Sequence, residues 1–147
     1  MNLTNFMRRH PYRKNFFALL LFLFFFTSVF GQQFYDVAGK LLGHKDGGKF
    51  YNAKNKVFGH TDGVNVYDSA DNKVGRIDGG YVFDASGTTI GHINGNNVYN
   101  AAGVGIGSIE GNQVYDAVGN NMGTINNLSK TDAALLFFFF LNKNYNP

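Results

Sequence analysis

The sequence predicts an all-β domain of 16-residue hairpin repeats arranged as a pseudo-symmetric, propeller-like ring, with a linear β-solenoid of hairpins as the alternative. Three observations lead there. An aromatic followed by Asp or Asn recurs at Tyr35, Tyr51, Tyr67, Phe83, Tyr99 and Tyr115, sixteen residues apart each time. A glycine follows each aromatic by eight residues, at Gly43, Gly59, Gly75, Gly91, Gly107 and Gly123. No stretch between residues 32 and 127 carries a helical apolar period. Repeats this short bury their apolar faces only against neighbours, by stacking or by closing into a ring.

The chain opens with a leader. Arg8, Arg9, Arg13 and Lys14 precede a Phe- and Leu-rich run at 16–30, and small residues stand at Val29 and Gly31. This pattern predicts a secretory signal over 1–31, cleaved before Gln32. The apolar run is shorter than the roughly 20 residues a membrane-spanning helix wants, so the membrane is met only if the signal stays uncleaved. The mature chain is then 32–147, and its destination is the periplasm, the outer membrane's surface or the extracellular space. Removing the four leader cations leaves nine basic against ten acidic residues, which offers no patch for nucleic acid. The chain has no cysteine, which excludes disulfide scaffolds, thiolate metal sites and cysteine nucleophiles together.

The repeat domain covers 32–128 in six units, each of two short strands. The first strand carries an apolar residue and then the aromatic, as in Val66-Tyr67 and Val82-Phe83. The second carries an apolar residue, the glycine, a variable residue and usually Ile, as in Val74-Gly75-Arg76-Ile77. The Ile column (Ile77, Ile93, Ile109, Ile125) is broken only by Lys45 and Thr61. Four apolar columns make a core large enough to fold without a cofactor, and none is expected.

Two turn types alternate. Asp84-Ala85-Ser86-Gly87 and its equivalents suit a type I turn ending on a residue of positive φ. Between units, Asp46-Gly47, Asp62-Gly63, Asp78-Gly79 and Asn94-Gly95 read as the central pairs of type I′ hairpins, with Glu110-Gly111 the poorest fit. The glycine inside the second strand marks either a bulge or a close approach of backbones, since Val74 and Ile77 must reach the same side.

Ser129-Lys130-Thr131-Asp132 resembles a capping box with Asp in place of Glu, leading into the apolar run 133–141. A short helix begun at Ser129 is expected to plug an open end of the ring, with a final strand as its competitor. Residues 129–141 therefore form a capping segment, and 142–147 a frayed tail.

The repeated Val74-Gly75-Arg76-Ile77-Asp78-Gly79 and Ile90-Gly91-His92-Ile93-Asn94-Gly95, together with the Ala and Phe run at 133–140, resemble the five-fold β-flower proteins of bacterial envelopes. The resemblance spans the signal and nearly all of the mature chain. It implies hairpins set about a pseudo-symmetry axis, in a family without an established biochemical activity. Six aromatic registers against five petals are reconciled if each petal joins the second strand of one unit to the first of the next. The strands near Tyr35 and Ile125 then meet at a seam.

Candidate chemistry is sparse. His44, His60 and His92 share one column with Arg76, Ser108 and Thr124; they are candidate metal ligands only if the ring gathers them. The free exchange of Asp and Asn at both turns points to backbone capping, not to acid–base catalysis, and no catalytic residues are assigned. Tyr35, Tyr51, Tyr67, Phe83, Tyr99 and Tyr115 are candidates to stack on sugars, although filling the core is the expected role. The function expected is a non-enzymatic scaffold or binding module of the envelope. A carbohydrate-binding or carbohydrate-active protein using the aromatic and carboxylate columns is the alternative. The partner is not specified beyond a glycan or an envelope protein.

Overall fold

The computed structural model describes residues 31–141; residues 1–30, nearly all of the expected signal over 1–31, and the expected tail 142–147 lie outside the described residues. Twelve strands follow in order: β1 (Gln32–Tyr35), β2 (Leu41–Asp46), β3 (Lys49–Asn52), β4 (Val57–Thr61), β5 (Asn65–Asp68), β6 (Lys73–Asp78), β7 (Tyr81–Asp84), β8 (Thr89–Asn94), β9 (Asn97–Asn100), β10 (Gly105–Glu110), β11 (Gln113–Asp116) and β12 (Asn121–Asn126). One helix is present among the described residues, α1 (Lys130–Phe137), which follows the last strand. Each strand pairs antiparallel with its sequence neighbours, and β12 pairs with β1 to close the barrel. The ring rules out a solenoid. Five petals are covalent hairpins: β2–β3, β4–β5, β6–β7, β8–β9 and β10–β11. The sixth is split between the chain ends, with Phe34 opposite Ile125 and Tyr35 opposite Thr124.

Alternation sorts the columns. Phe34, Phe50, Val66, Val82, Val98 and Val114 point inward and are fully buried. Each following aromatic therefore points outward, because successive strand residues face opposite sides. The expectation that the aromatics fill the core is corrected: they are half-buried on the outer wall. The interior has no room for these six rings as well, because the C-terminal segment already occupies it.

A bulge opens beside every glycine. In β7–β8, Val82 faces Gly91 and Phe83 faces Thr89, so Ile90 is the extra residue. The same shift recurs at Leu42, Phe58, Val74, Ile106 and Met122. The bulge turns the residue before each glycine towards the core, so Val74 and Ile77 pack on one side although three apart. Both sequence explanations of the glycine hold at once. A Cβ on Gly91 would also overlap the carbonyl of Tyr99 on the adjacent strand.

The glycines have a third reason to lack side chains. A Cβ on Gly123 would meet the ring of Phe137, one on Gly107 that of Phe138, and one on Gly91 that of Phe139. Gly75 stands against Phe140 and Gly59 against Leu141, while Gly43 takes the ring of Phe34. One residue of the C-terminal segment thus fills one unit, in reverse chain order. This explains why α1 ends at Phe137 although the apolar run continues. Six units stand about 60° apart around the ring, whereas a helix advances about 100° per residue, so a continued helix would miss successive sockets.

At the other end of the segment, α1 lies across the hairpin turns. The Ser129 hydroxyl accepts from the Asp132 N–H at 3.0 Å and donates to the Asp132 carboxylate at 2.6 Å. Asp is one methylene shorter than Glu, and here it grips the hydroxyl itself. The same carboxylate takes both of its oxygens to Lys45 Nζ at 2.8 Å. Lys45 is thereby explained: it replaces Ile at one place in its column and holds the helix there, with only 14 % of its side chain exposed.

The hairpin turns sit one residue later than the sequence suggests. Asp46 pairs with Lys49 and Asp78 with Tyr81, so Gly47-Gly48 and Gly79-Gly80 are the central pairs, all four with positive φ as type I′ demands. At Gly95-Asn96 and Gly111-Asn112 only the glycine has positive φ, the pattern of a type II′ turn. Glu110 is therefore no misfit; it is the last strand residue, opposite Gln113.

Two outcomes test this packing. Gly91→Ala is expected to cost about 2 kcal/mol, because the new methyl meets the Tyr99 carbonyl and a Phe139 ring carbon 2.7 Å away. Phe139→Ala should then cost less in the Gly91→Ala chain than in the parent; additive denaturant midpoints would show that the two positions do not touch. Asp132→Ala leaves Lys45 nearly buried and unpaired, and is expected to cost about 3–5 kcal/mol. Lys45→Ile together with Asp132→Ala puts Ile at one of the two breaks in the column and should recover most of that loss in thermal unfolding.

Candidate functional site

With the interior filled, the functional residues suggested by the sequence all lie on the wall and the turns. The variable column after each glycine faces outward and stands directly opposite an aromatic: His44 opposite Tyr51, His60 opposite Tyr67, Arg76 opposite Phe83, and His92 opposite Tyr99. The imidazoles stack on the phenol rings at centroid separations of 4.8, 4.5 and 4.5 Å, with planes within 7° of parallel. The guanidinium of Arg76 lies 3.9 Å from the centre of the Phe83 ring. Tyr81 approaches His92 from the other side at 5.6 Å. In the remaining two petals Ser108 faces Tyr115 and Thr124 faces Tyr35.

This arrangement accounts for His44, His60 and His92 without a metal. The three stand on separate petals, each against its own tyrosine, and no group of three metal-ligating side chains forms among the described residues. It also changes what the aromatic column offers. One face of Tyr51, Tyr67 and Tyr99 is covered by an imidazole, and one face of Phe83 by Arg76. Hydroxyls of the column are tied down as well: Tyr35 donates to Gln33 Oε1 at 2.7 Å, and Tyr115 donates to the side chain of Gln113.

The carboxylates are engaged in turns. Asp84 Oδ1 accepts from the N–H of Ser86 and of Thr88, both at 2.9 Å, and Gly87 follows with a φ of 88°. The equivalent oxygens of Asp36, Asn52, Asp68, Asn100 and Asp116 do the same two and four residues on. Either side chain supplies that oxygen, which is why Asp and Asn exchange freely. Where Gly is missing from the last turn position, Asn55 and Asp71 adopt the positive φ instead. Asp62 caps a hairpin turn through Val64 and Asn65.

One feature escaped the column-by-column reading of the sequence. Seven of the eight Lys and Arg residues at 31–141 lie between residues 40 and 76, against five acidic residues at 31–76. Residues 77–126 hold no Lys or Arg and four acidic residues. On a closed ring these halves lie on opposite sides, the second acidic and the first near balance once Lys45, buried against Asp132, is set aside. Counting charge per half of the repeat array would have revealed it. Near the helix start, a cavity of about 400 Å³ is lined by Lys45, Thr61, Ser129, Thr131 and Asp132 among others.

The geometry defines a class of protein: a closed antiparallel barrel of repeated petals, sealed by its own C-terminus and decorated by stacked side chains outside. The chain belongs to the five-fold β-flower protein family, whose model matches residues 31–141. No curated protein and no solved structure is significantly similar to it.

The turn carboxylates give the fold an acid limit. Hydrogen bonds hold Asp62 (chiefly from Asn65), Asp68 (from Asn72), Asp84 (from Ser86) and Asp116 (from Asn120) below the ordinary carboxylate value of 3.8. Folding therefore favours their ionised forms. Their stabilisation is complete above about pH 4 and fades as the pH falls through the lowered native values. Asp68→Asn keeps the Oδ1 acceptor and removes one such titration. Denaturant midpoints followed from about pH 5 to pH 2 should fall less steeply in this variant than in the parent.

Proposed function

We propose that this β-flower protein is an exported, non-enzymatic scaffold or binding module of the bacterial cell envelope. The observation that carries the reading is the filled axis. Phe137, Phe138, Phe139, Phe140 and Leu141 occupy the space where a barrel of this kind would hold a ligand, leaving the outer wall and the turns for recognition. The carboxylates support the same reading, since they occupy equivalent turn positions on local N–H groups, whereas acid–base catalysis needs carboxyls in unlike environments. Export is supported by the basic leader, the apolar run at 16–30 and the small residues Val29 and Gly31.

Carbohydrate recognition is the second reading, favoured by the outward direction of the aromatic column. Its simplest form, flat stacking of sugars on free ring faces, is weakened by the imidazoles and the guanidinium that already occupy those faces. Fractionation of the producing cells and mass spectrometry of the product test the delivery. The expected result is an envelope or extracellular chain beginning at Gln32. An intact Met1 on a cytosolic chain would overturn the proposal.

A further inference from the structure

We propose that Lys45 and Asp132 condense into an isopeptide bond, which fastens the C-terminal segment covalently to the wall of the barrel. Asp132 is the one charged residue classed as buried among the described residues, and Lys45 is the cation that breaks the Ile column to reach it. The Lys45 Nζ stands 2.8 Å from both Oδ1 and Oδ2. Equidistance from the two oxygens puts it roughly 3 Å from Cγ, within the about 3–3.5 Å of a near-attack pair. A small turn about the Cβ–Cγ bond then brings the face of the carboxyl to the nitrogen. Arginine would grip both oxygens with a fork and stay inert, whereas lysine presents a single nitrogen that can become a nucleophile.

The bond forms without a co-reactant. One proton crosses from Nζ to Oδ1, which turns the ion pair into an amine and an acid. The nitrogen lone pair attacks Cγ, and negative charge gathers on Oδ2, where the Ser129 hydroxyl already donates at 2.6 Å. That hydroxyl is held in place by the Asp132 N–H, which donates to it at 3.0 Å. A second proton passes from the nitrogen to Oδ1, the Cγ–Oδ1 bond breaks, and one water leaves. The product is an amide with one N–H on Nζ and its carbonyl at Oδ2. Nothing is oxidised or reduced.

Free lysine and aspartate side chains do not condense in water, because both ions are well hydrated and meet only in passing. The fold removes both obstacles. The two side chains are 14 % and 9 % exposed, with the Phe50 ring 5.3 Å from Nζ, so the ions have already given up most of their hydration. Their contact is intramolecular and held in one geometry, which replaces encounter by a high effective concentration. The cavity of about 400 Å³ beside them gives the released water a way out. Among the described residues no other titratable side chain lines that cavity, so the protons pass within the pair and Ser129, and the reaction runs slowly after folding. The stabilities compared through Asp132→Ala are those of the uncondensed pair; the bond adds to them by closing the loop from 45 to 132. It depends on the fold alone, wherever the protein is delivered.

The test is intact-mass spectrometry of the purified folded chain, sampled fresh and over days at a temperature below unfolding. A species lighter by one water is expected, growing with time in the folded chain and not forming in urea. After trypsin, peptides 41–49 and 131–143 should travel as one branched species that is uncut at Lys45. Lys45→Arg keeps the cation and should stop the loss of water. Ser129→Ala should slow it about tenfold or more, while Ser129→Thr, which keeps the hydroxyl, should not. An imide at Asp46-Gly47, Asp62-Gly63 or Asp78-Gly79 would also lose water, but it leaves the two peptides separate and survives Lys45→Arg. The proposal is overturned if the mass stays that of the intact chain, if the branched peptide is missing, or if Lys45→Arg loses water equally.

Discussion

Six missing side chains govern this structure. Where each second strand passes the axis, a glycine leaves the space of a Cβ, and into that space come the carbonyl of the next strand and a large side chain from the middle of the ring. Take the glycines away and neither contact survives. The adjacent bulges, the inward turn of the residues before the glycines, and the use of Val at four of the six inward positions all follow from the same shortage of room. Positive φ has little part in it: only Gly123 among the six has a φ in that range. The column is glycine for space, whereas the turn glycines are glycine for conformation.

A ring of near-identical units raises a problem of orientation. Any petal could receive the first turn of the helix about as well as its neighbour, and a rotation by one unit would move every phenylalanine to the wrong socket. The buried pair between Lys45 and Asp132 marks one petal as different from the others. Buried ion pairs often add little net stability, and their best-attested use is to select one register among several. The break in the Ile column at Lys45, which in the sequence looks like a lapse in the repeat, serves that purpose.

Much of this was legible in the residues. The period of sixteen gave the number of strands, the turn residues gave their connections, and pairing across unit boundaries placed the seam between the strands of Tyr35 and Ile125. The turn aspartates were legible too, since their exchange with asparagine leaves a single shared requirement, an acceptor oxygen. What could not be read was the direction of the aromatic column. Val66 and Tyr67 are neighbours and both apolar, so alternation alone does not say which points inward. Size argued for the tyrosine, and the answer depended on the C-terminal segment some seventy residues away. The end of α1 was hidden for a similar reason, because four phenylalanines in a row carry no signal of where a helix stops. The uneven charge of the two halves was countable in the sequence, and the ring adds that the halves lie on opposite sides.

The reverse order in which the segment fills its sockets has a consequence in time. Phe34 must find Ile125 to close the wall, and Gly59 is not filled until Leu141 arrives at the very end of the described chain. A chain that emerges from the ribosome or a translocation pore N-terminus first can form hairpins as it goes, since these are local. It cannot fill the Gly59 socket until Leu141 is free. Contacts between such distant parts of a chain are slow to form, and the apolar inner faces stay open until they do. The ring therefore matures as a whole, with Phe137–Leu141 acting as the latch.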